Sequence, residues 1–260
     1  MMNEADRKKA AAWLVEAEKT RKPIVQLSKT FPDITIDDAY AISALATDMR
    51  VAAGHKVIGN KIGLTSKAMQ STVGINEPDY GHLLDTMFFQ DGDTIATETL
   101  IVPRVEVELA FVLGKPLRGP DVTLFDVLDA TDYVVPALEL IDGRSKYPRR
   151  IVDNIADNAA CAGIILGGRP VKPLEVDLRW VAALLLKNGV IEESGVSAAV
   201  LGHPALGIAW LANKLAAHDT GLEAGHIVLA GSFTRTVAVA KGDTIHADYG
   251  PLGSISAHFS

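Results

Sequence analysis

The chain has 260 residues, of which 48% are hydrophobic and 22% charged, and its formal net charge is −7. This length allows one large domain or two small ones, and the composition is that of a folded globular protein rather than a disordered chain. The acidic balance argues against nucleic-acid binding, which normally needs a basic surface. It does not exclude a small anionic substrate, because a bound metal ion can reverse the sign of a local site.

The only cysteine, Cys161, lies in an apolar stretch. No intrachain disulfide can form, and we interpret this side chain as a packed small hydrophobe rather than a nucleophile. The N-terminus lacks the long apolar stretch of a signal peptide, and no segment approaches the roughly 18 apolar residues of a membrane span. These features predict a cytoplasmic protein that does not contact membranes.

The first 55 residues are predicted to be mainly helical. Apolar residues recur at helical spacing from Ala10 to Ala17. A second helix is expected to begin after Thr35, which can form a capping box with Asp38, and to end at Gly54. From Val57 onward, short apolar runs alternate with Gly, Pro and Asp clusters, a pattern typical of strands and turns.

The rest of the chain is predicted to be rich in strands. Asn188-Gly189 is the signature of a tight hairpin turn. Further helices are expected at 124–130 and after Pro204. Predicted strands cover 57–64, 105–113, 134–141, 162–166, 178–187, 190–193, 227–230, 236–240, 244–247 and 254–259. We therefore expect an α+β fold, with an N-terminal mainly helical segment (1–75) packed on a β-rich catalytic core (76–260).

The strongest local feature is the strand predicted at 105–113. Alternate residues of a strand share a face, so one face is entirely apolar while Glu106 and Glu108 share the other, with Cα atoms about 6.7 Å apart. A solvated outer face is the ordinary explanation of such a pair. Here the acidic face continues as Ala110 and Val112, which indicates that the two carboxylates are at least partly enclosed.

Glu139 occurs in a similar apolar strand. An isolated glutamate is costly to bury unless it is paired or binds a metal ion. Three carboxylates without a Cys or His cluster suit a hard divalent cation, Mg²⁺ or Mn²⁺, better than zinc. The three acids are therefore candidate metal ligands.

Two other residues are candidates for proton transfer. Lys61 lies inside a Gly-punctuated apolar strand, and Asp79 follows Pro78 at a turn that enters a strand. A buried lysine can exchange protons near neutral pH. The alternatives are an ordinary surface lysine and a turn-stabilising aspartate.

Two further segments carry weaker signals. Gly231 can let backbone amides approach a carboxylate near Ser232, although a plain strand-to-turn junction explains the same residues. A basic run begins at Arg144 and continues to Arg150. It can pair with a distal carboxylate of a substrate, or it can be a solvated loop.

Taken together, these stretches resemble the fumarylacetoacetate hydrolase superfamily, in its branch of 2-oxo-alkenoate hydratases and 4-oxalocrotonate decarboxylases. The resemblance extends over nearly the whole chain from Thr35. Its most specific pieces are Lys61-Ile62-Gly63-Leu64-Thr65-Ser66, Glu106-Val107-Glu108, Leu138-Glu139-Leu140-Ile141-Asp142, Asp157-Asn158 and Gly231-Ser232-Phe233-Thr234.

The resemblance implies a mixed β-roll core and a homo-oligomer, often built from pentamers and including decamers. It implies Mg²⁺ held by Glu106, Glu108 and Glu139, with Mn²⁺ as an alternative. Lys61 and Asp79 are then expected to transfer protons. The substrate is expected to contact Leu64, Ser232 and Arg144.

The activity implied by the resemblance is hydration of a 2-oxo-alkenoate in aromatic catabolism, with 2-oxohept-4-ene-1,7-dioate as the expected substrate and 4-hydroxy-2-oxoheptanedioate as product. Within this resemblance, an acid at the position of Asp79 favours hydration over decarboxylation. Alternatives are hydration of 2-oxopent-4-enoate, decarboxylation of a 4-oxalocrotonate-type diacid, an acylpyruvate-type C–C hydrolase, and a non-catalytic partner subunit. A pathway decarboxylase is an expected protein partner.

Overall fold

The structure, a computed structural model, describes the backbone of residues 1–260 and every side chain except those of Ala68 and Val73. The helices are α1 (Glu4–Thr20), α2 (Leu27–Thr30), α3 (Ile36–Ala52), α4 (Lys67–Val73), α5 (Leu124–Ala130), α6 (Ile151–Ala156) and α7 (Pro204–Ala216). The strands are β1 (Val57–Gly63), β2 (Asp79–Leu84), β3 (Phe88–Gln90), β4 (Thr94–Ile95), β5 (Arg104–Leu113), β6 (Thr131–Ile141), β7 (Cys161–Leu166), β8 (Ala182–Lys187), β9 (Val190–Val196), β10 (Ile227–Leu229), β11 (Val237–Ala238), β12 (Thr244–Asp248) and β13 (Ser254–Phe259).

The N-terminal helices form their own apolar cluster, and this cluster includes the short helix α6. Thr35 caps α3, and its side chain and Asp38 form the predicted capping box. The apolar stripe of α3 packs against α1 and against Val152 and Ile155 of α6. Helix α6, which the sequence pattern did not predict, therefore joins the N-terminal segment to the rest of the chain.

The larger sheet is mixed, in the order β2-β1-β10-β5-β6-β7-β3, with β11 paired to the start of β5. Strand β1 runs parallel to β10 and antiparallel to β2. Because β1 precedes residue 75, the N-terminal side of the expected domain boundary contributes a strand to this sheet. The division at 75/76 stays a prediction.

The second sheet has the order β4-β13-β12-β8-β9. Its hairpin between β8 and β9 turns at Asn188 and Gly189, and both residues have positive φ, as the predicted turn requires. One continuous core joins this sheet to the buried apolar face of β5 and to α7. The α+β class, the mixed β core and the N-terminal helical segment are confirmed. No described helix is long and apolar enough to span a bilayer.

Candidate active site and metal centre

Three carboxylates meet where β5 and β6 pair. Glu106 lies directly opposite Glu139 in the antiparallel register, so their side chains share a face with Glu108. Glu108 and Glu139 are buried, and Glu106 is half-buried. One carboxylate oxygen from each lies within 4.8 Å of the others. The opposite face of β5 is buried in the core, so the alternation of the strand decides which side holds the acids.

Among the described residues, one oxygen of Glu108 and both oxygens of Glu139 lack the hydrogen bonds that buried carboxylates normally have. The backbone N–H of Gly231 donates to Oε2 of Glu108 at 2.8 Å, but Oε1 of Glu108 has no hydrogen-bond partner. Neither oxygen of Glu139 has a partner with hydrogen-bond geometry, although Nζ of Lys61 lies 3.3 Å from its Oε1. The Gly231 amide therefore approaches a carboxylate, as expected, and that carboxylate is Glu108 of the protein.

The electrostatics of the cluster require a cation or protons. Burial, followed by repulsion from Glu139, raises the pKa of Glu106 to about 8, and the same effects raise the pKa of Glu108 well above its ordinary value. Burial alone would lower the pKa of Lys61, but the carboxylates of Glu139 and Asp79 outweigh this effect and raise it. One ammonium cannot neutralise three carboxylates. Hard oxygen ligands with unpartnered atoms fit a Mg²⁺ or Mn²⁺ ion.

Lys61 and Asp79 come together across the pairing of β1 with β2. Gly63 is opposite Asp79 in the register, and an added Cβ on Gly63 would lie 2.3 Å from Oδ1 of Asp79 and 3.1 Å from Nζ of Lys61. Both side chains are buried. Nδ2 of Asn154 donates to Oδ2 of Asp79 at 2.9 Å, while Oδ1 of Asp79 has no hydrogen-bond partner in the described part of the chain. Burial raises the pKa of Asp79.

A cavity of about 840 Å³ opens beside this group. Leu64 and Ser232 both contribute to its wall, and their contact with the substrate stays a prediction. The hydroxyl of Ser232 is held by backbone carbonyls, at 3.2 Å from that of Val107 and 2.9 Å from that of Thr234. The wall also includes Gly63, Thr65, Ser66, Met69, Arg104, Glu106, Glu193, Ser194, Ala199, Phe233, Thr234, Arg235 and Thr236.

Arg144 is not in this wall. Its side chain is 2% exposed, and its guanidinium donates to the carbonyls of Asp142 and Cys161 and lies 3.5 Å from Oδ1 of Asp157. Its donors are already used inside the protein, so the expected contact with a distal carboxylate has no support in these surroundings. The alternative of a solvated loop is also wrong for Arg144, because the side chain is fully enclosed.

Sequence reasoning missed three polar residues near the site. Asn154 lies on α6, which is too short to show a helical period. Arg104 and Arg235 resemble ordinary surface arginines in the sequence. The available signals were positional: Arg104 precedes Glu106 by two residues on the same strand face, and Arg235 follows the Gly231–Thr234 stretch directly. Cys161 is buried and its thiol pKa is raised by burial, which agrees with a packing role.

The fold and the carboxylate cluster are those of a known enzyme family. A model of the fumarylacetoacetate (FAA) hydrolase C-terminal family matches residues 56–260, and the chain belongs to this family. Over 256 residues it is 61% identical to the 2-oxo-hept-4-ene-1,7-dioate hydratase of Escherichia coli, covering 96% of both chains. It is 40% identical to a 2-keto-4-pentenoate hydratase of Paraburkholderia xenovorans, covering 99% of this chain and 96% of the relative.

A solved structure is also similar to this chain over its full length. A 4-oxalocrotonate decarboxylase from Pseudomonas putida G7, complexed with magnesium and adipate, superposes with a TM-score of 0.97 at 38% identity. The match covers 100% of this chain and 99% of that one. The similar proteins thus include both hydratases and a decarboxylase.

The raised carboxylate pKa values predict a pH-dependent effect of Mg²⁺ on stability. Without metal, the folded cluster keeps protons that glutamates of the unfolded chain, with an ordinary pKa of 4.5, have already released. The contribution of the protonated cluster to the free energy of unfolding therefore falls as pH rises toward about 8. Because Mg²⁺ competes with those protons, its stabilising effect should grow with pH. We expect the difference in Tm between Mg²⁺ and chelator to be larger at about pH 8 than at about pH 6.

Differential scanning calorimetry with and without Mg²⁺ measures this difference, and other titrating groups cancel in the comparison. Glu108→Gln is the control variant, because it replaces a carboxylate ligand with a neutral amide and should abolish most of the Mg²⁺ effect. A Mg²⁺-induced shift that is the same at both pH values, or that survives in Glu108→Gln, would contradict the cluster as the metal site.

The buried position of Arg144 predicts a structural role. Arg144→Met should lower the free energy of unfolding by about 3–5 kcal/mol, because it removes the partner of a buried carboxylate. Arg118→Met is the matched control, since Arg118 pairs with Glu223 on the surface and should cost about 1 kcal/mol or less. Urea unfolding measures both. Wild-type stability in Arg144→Met, combined with weaker diacid binding, would restore the substrate role.

Proposed function

We propose that the protein is a divalent-metal-dependent hydratase that adds water to 2-oxohept-4-ene-1,7-dioate and forms 4-hydroxy-2-oxoheptanedioate. The observation that carries the proposal is the carboxylate cluster with Lys61 paired to its member Glu139. Asp79 lies beside this group, and a cavity large enough for a small diacid opens next to it. A hard metal site adjacent to two proton-transfer groups is what this chemistry requires.

The substrate assignment is supported by the relatives. The E. coli relative at 61% identity is a hydratase named for this C7 diacid, whereas the 2-keto-4-pentenoate hydratase is 40% identical. The difference in identity favours the longer dicarboxylate over the short monoacid. Hydration is also supported by Asp79, which the sequence analysis associated with hydratases.

Glu106, Glu108 and Glu139 would hold the metal, and one oxygen of Glu108 and both oxygens of Glu139 lack hydrogen-bond partners among the described residues. When bound, Mg²⁺ supplies a Lewis acid for the 2-oxo acid end of the substrate. The Gly231 amide fixes the orientation of the Glu108 carboxylate, and Lys61 adds positive charge beside Glu139. Since these groups lie on paired strands, their geometry is set before substrate arrives.

Hydration needs defined proton movements. One proton leaves C3 and one is added at C5, which brings the double bond into conjugation with the ketone. Water then adds at C4 and a proton returns to C3. Oδ1 of Asp79 is free of hydrogen bonds while Asn154 holds Oδ2, so we assign proton removal to Asp79. Nζ of Lys61, 3.3 Å from Oε1 of Glu139, is assigned as the proton donor.

Decarboxylation of a vinylogous 2-oxo diacid is the second candidate. The observation that favours it is the close superposition on the P. putida decarboxylase. Loss of CO₂ and proton removal from C3 both place negative charge on the 2-oxo end of the substrate, so the same acid cluster serves either reaction. The two activities therefore differ in their products rather than in the metal site.

Product analysis tests the function directly. We expect the Mg²⁺-loaded protein to convert 2-oxohept-4-ene-1,7-dioate to a product heavier by one water, identified by NMR and mass spectrometry. Loss of CO₂ from a 4-oxalocrotonate-type diacid, without hydration of the C7 acid, would make the decarboxylase assignment correct. Absence of both reactions, with metal bound, would reject the proposed function.

Variants of the proton-transfer residues test the mechanism. Lys61→Ala and Asp79→Asn should each lower kcat by about 10²-fold or more, because proton transfer contributes on that order. The matched controls are Lys115→Ala and Asp129→Asn, an exposed pair on the surface, which should retain activity. Circular dichroism and Mg²⁺ titration establish that fold and metal binding persist. Wild-type hydration in either site variant would remove that residue from the mechanism.

The proposal also covers the number of subunits and the division of the chain into segments. We propose a homo-oligomer, a pentamer or decamer, which is consistent with the exposed apolar side chains Trp180, Val190 and Ile191 near the β8–β9 hairpin. Association with a pathway decarboxylase and the division of the chain at residues 75/76 also stay proposals. Light scattering of the purified protein measures the subunit number.

A further inference from the structure

The cavity beside the acid cluster contains two arginines that the proposed mechanism does not use. Arg104 and Arg235 both line its wall, together with Glu106 and Glu193. Glu193 is already paired, because its Oε1 lies 2.9 Å from Nη2 of Arg235. With Glu106 in the metal cluster, positive charge remains on the cavity wall. This part of the cavity therefore suits an anion.

The two arginines differ in how they are held. Nε of Arg104 donates to Oγ1 of Thr236 at 2.7 Å, and its Nη2 lies 3.3 Å from the Thr236 carbonyl. Arg104 shares the strand face of Glu106, at a Cα separation of about 6.7 Å, and its charge acts on the Glu106 carboxylate. Arg104 is thus fixed close to the acid cluster.

Arg235 is placed differently. Its side chain is 85% exposed and forms an ion pair with Glu193. It precedes β11, which pairs with the start of β5, so it is anchored beside the cavity while its guanidinium stays accessible. An extended C7 diacid spans six C–C bonds of about 1.5 Å each, or about 7–8 Å along its zigzag. This length extends the distal carboxylate well beyond a 2-oxo acid end held at the cluster.

We propose that Arg235 binds the distal carboxylate of the diacid and is the residue that selects dicarboxylates over monoacids. The inference rests on the proposed function, since it takes the acid cluster as the site of the 2-oxo acid end. Arg104, being next to the cluster, contributes positive charge to both substrate types and does not discriminate between them. The guanidinium of Arg235 exchanges the Glu193 carboxylate for that of the substrate.

The test compares two ligands that differ only in the distal carboxylate. 2-Oxoheptanedioate and 2-oxoheptanoate have equal chain lengths, and neither has a double bond to hydrate. Isothermal titration calorimetry on the Mg²⁺-loaded protein gives the ratio of their affinities. We expect the wild-type protein to prefer the diacid by about tenfold, the size of one charge-assisted hydrogen bond.

Arg235→Gln should reduce this ratio to about one, and Arg235→Lys should retain part of it, because the charge is kept without the planar fork. Arg104→Gln should weaken both ligands and leave the ratio unchanged. Arg118→Gln, another exposed arginine paired with a glutamate, is the control and should match wild type. Since Arg235 is exposed, its replacement should not impair folding.

A wild-type ratio of about one, or a ratio that Arg235→Gln leaves intact, would overturn the proposal. Product analysis separates this failure from failure of the proposed function. If the diacid preference depends on Arg235 but no water is added to the C7 diacid, the carboxylate subsite stands and the hydratase assignment fails. If hydration occurs without a diacid preference, the hydratase assignment stands and Arg235 has no role in selection.

Discussion

The site depends on repulsion among three carboxylates that β5 and β6 force together. The antiparallel register places Glu106 opposite Glu139, and the strand period adds Glu108 to the same face. Since the other face of β5 is buried in the core, a one-residue slip would place acids in the core and apolar side chains at the site. Fold stability and metal site are therefore fixed by the same register.

Neighbouring elements reduce this repulsion only in part. The Gly231 amide and the Lys61 ammonium each approach one carboxylate. Gly231 follows β10, which pairs with β5, and Lys61 lies on β1, which pairs with β10. Buried oxygens on Glu108 and Glu139 are still left without partners. This repulsion among buried carboxylates destabilises the metal-free protein, and binding of a divalent cation relieves it.

The sequence predicted those parts of the site that follow from local period. Alternation along 105–113 placed Glu106 and Glu108 on one face, and an isolated Glu139 in an apolar run indicated a buried partner. The pairing of Glu106 with Glu139 is a non-local register and could not be derived from either strand alone. The enclosed setting of Arg144 could not be predicted for a related reason: a basic run resembles a solvated loop until the carbonyls and the Asp157 carboxylate around it are known.

The positions of the polar groups also explain how one scaffold can serve several substrates. The acid cluster, Lys61 and Asp79 lie on paired strands of the central sheet, where substitutions disturb the core. Arg235 lies in the segment between β10 and β11 and its side chain is exposed, so its replacement costs the core little. Chemistry common to hydration and decarboxylation is thereby separated from selection of the distal group. A change in substrate length would then require changes in the segment around Arg235 and none in the metal site.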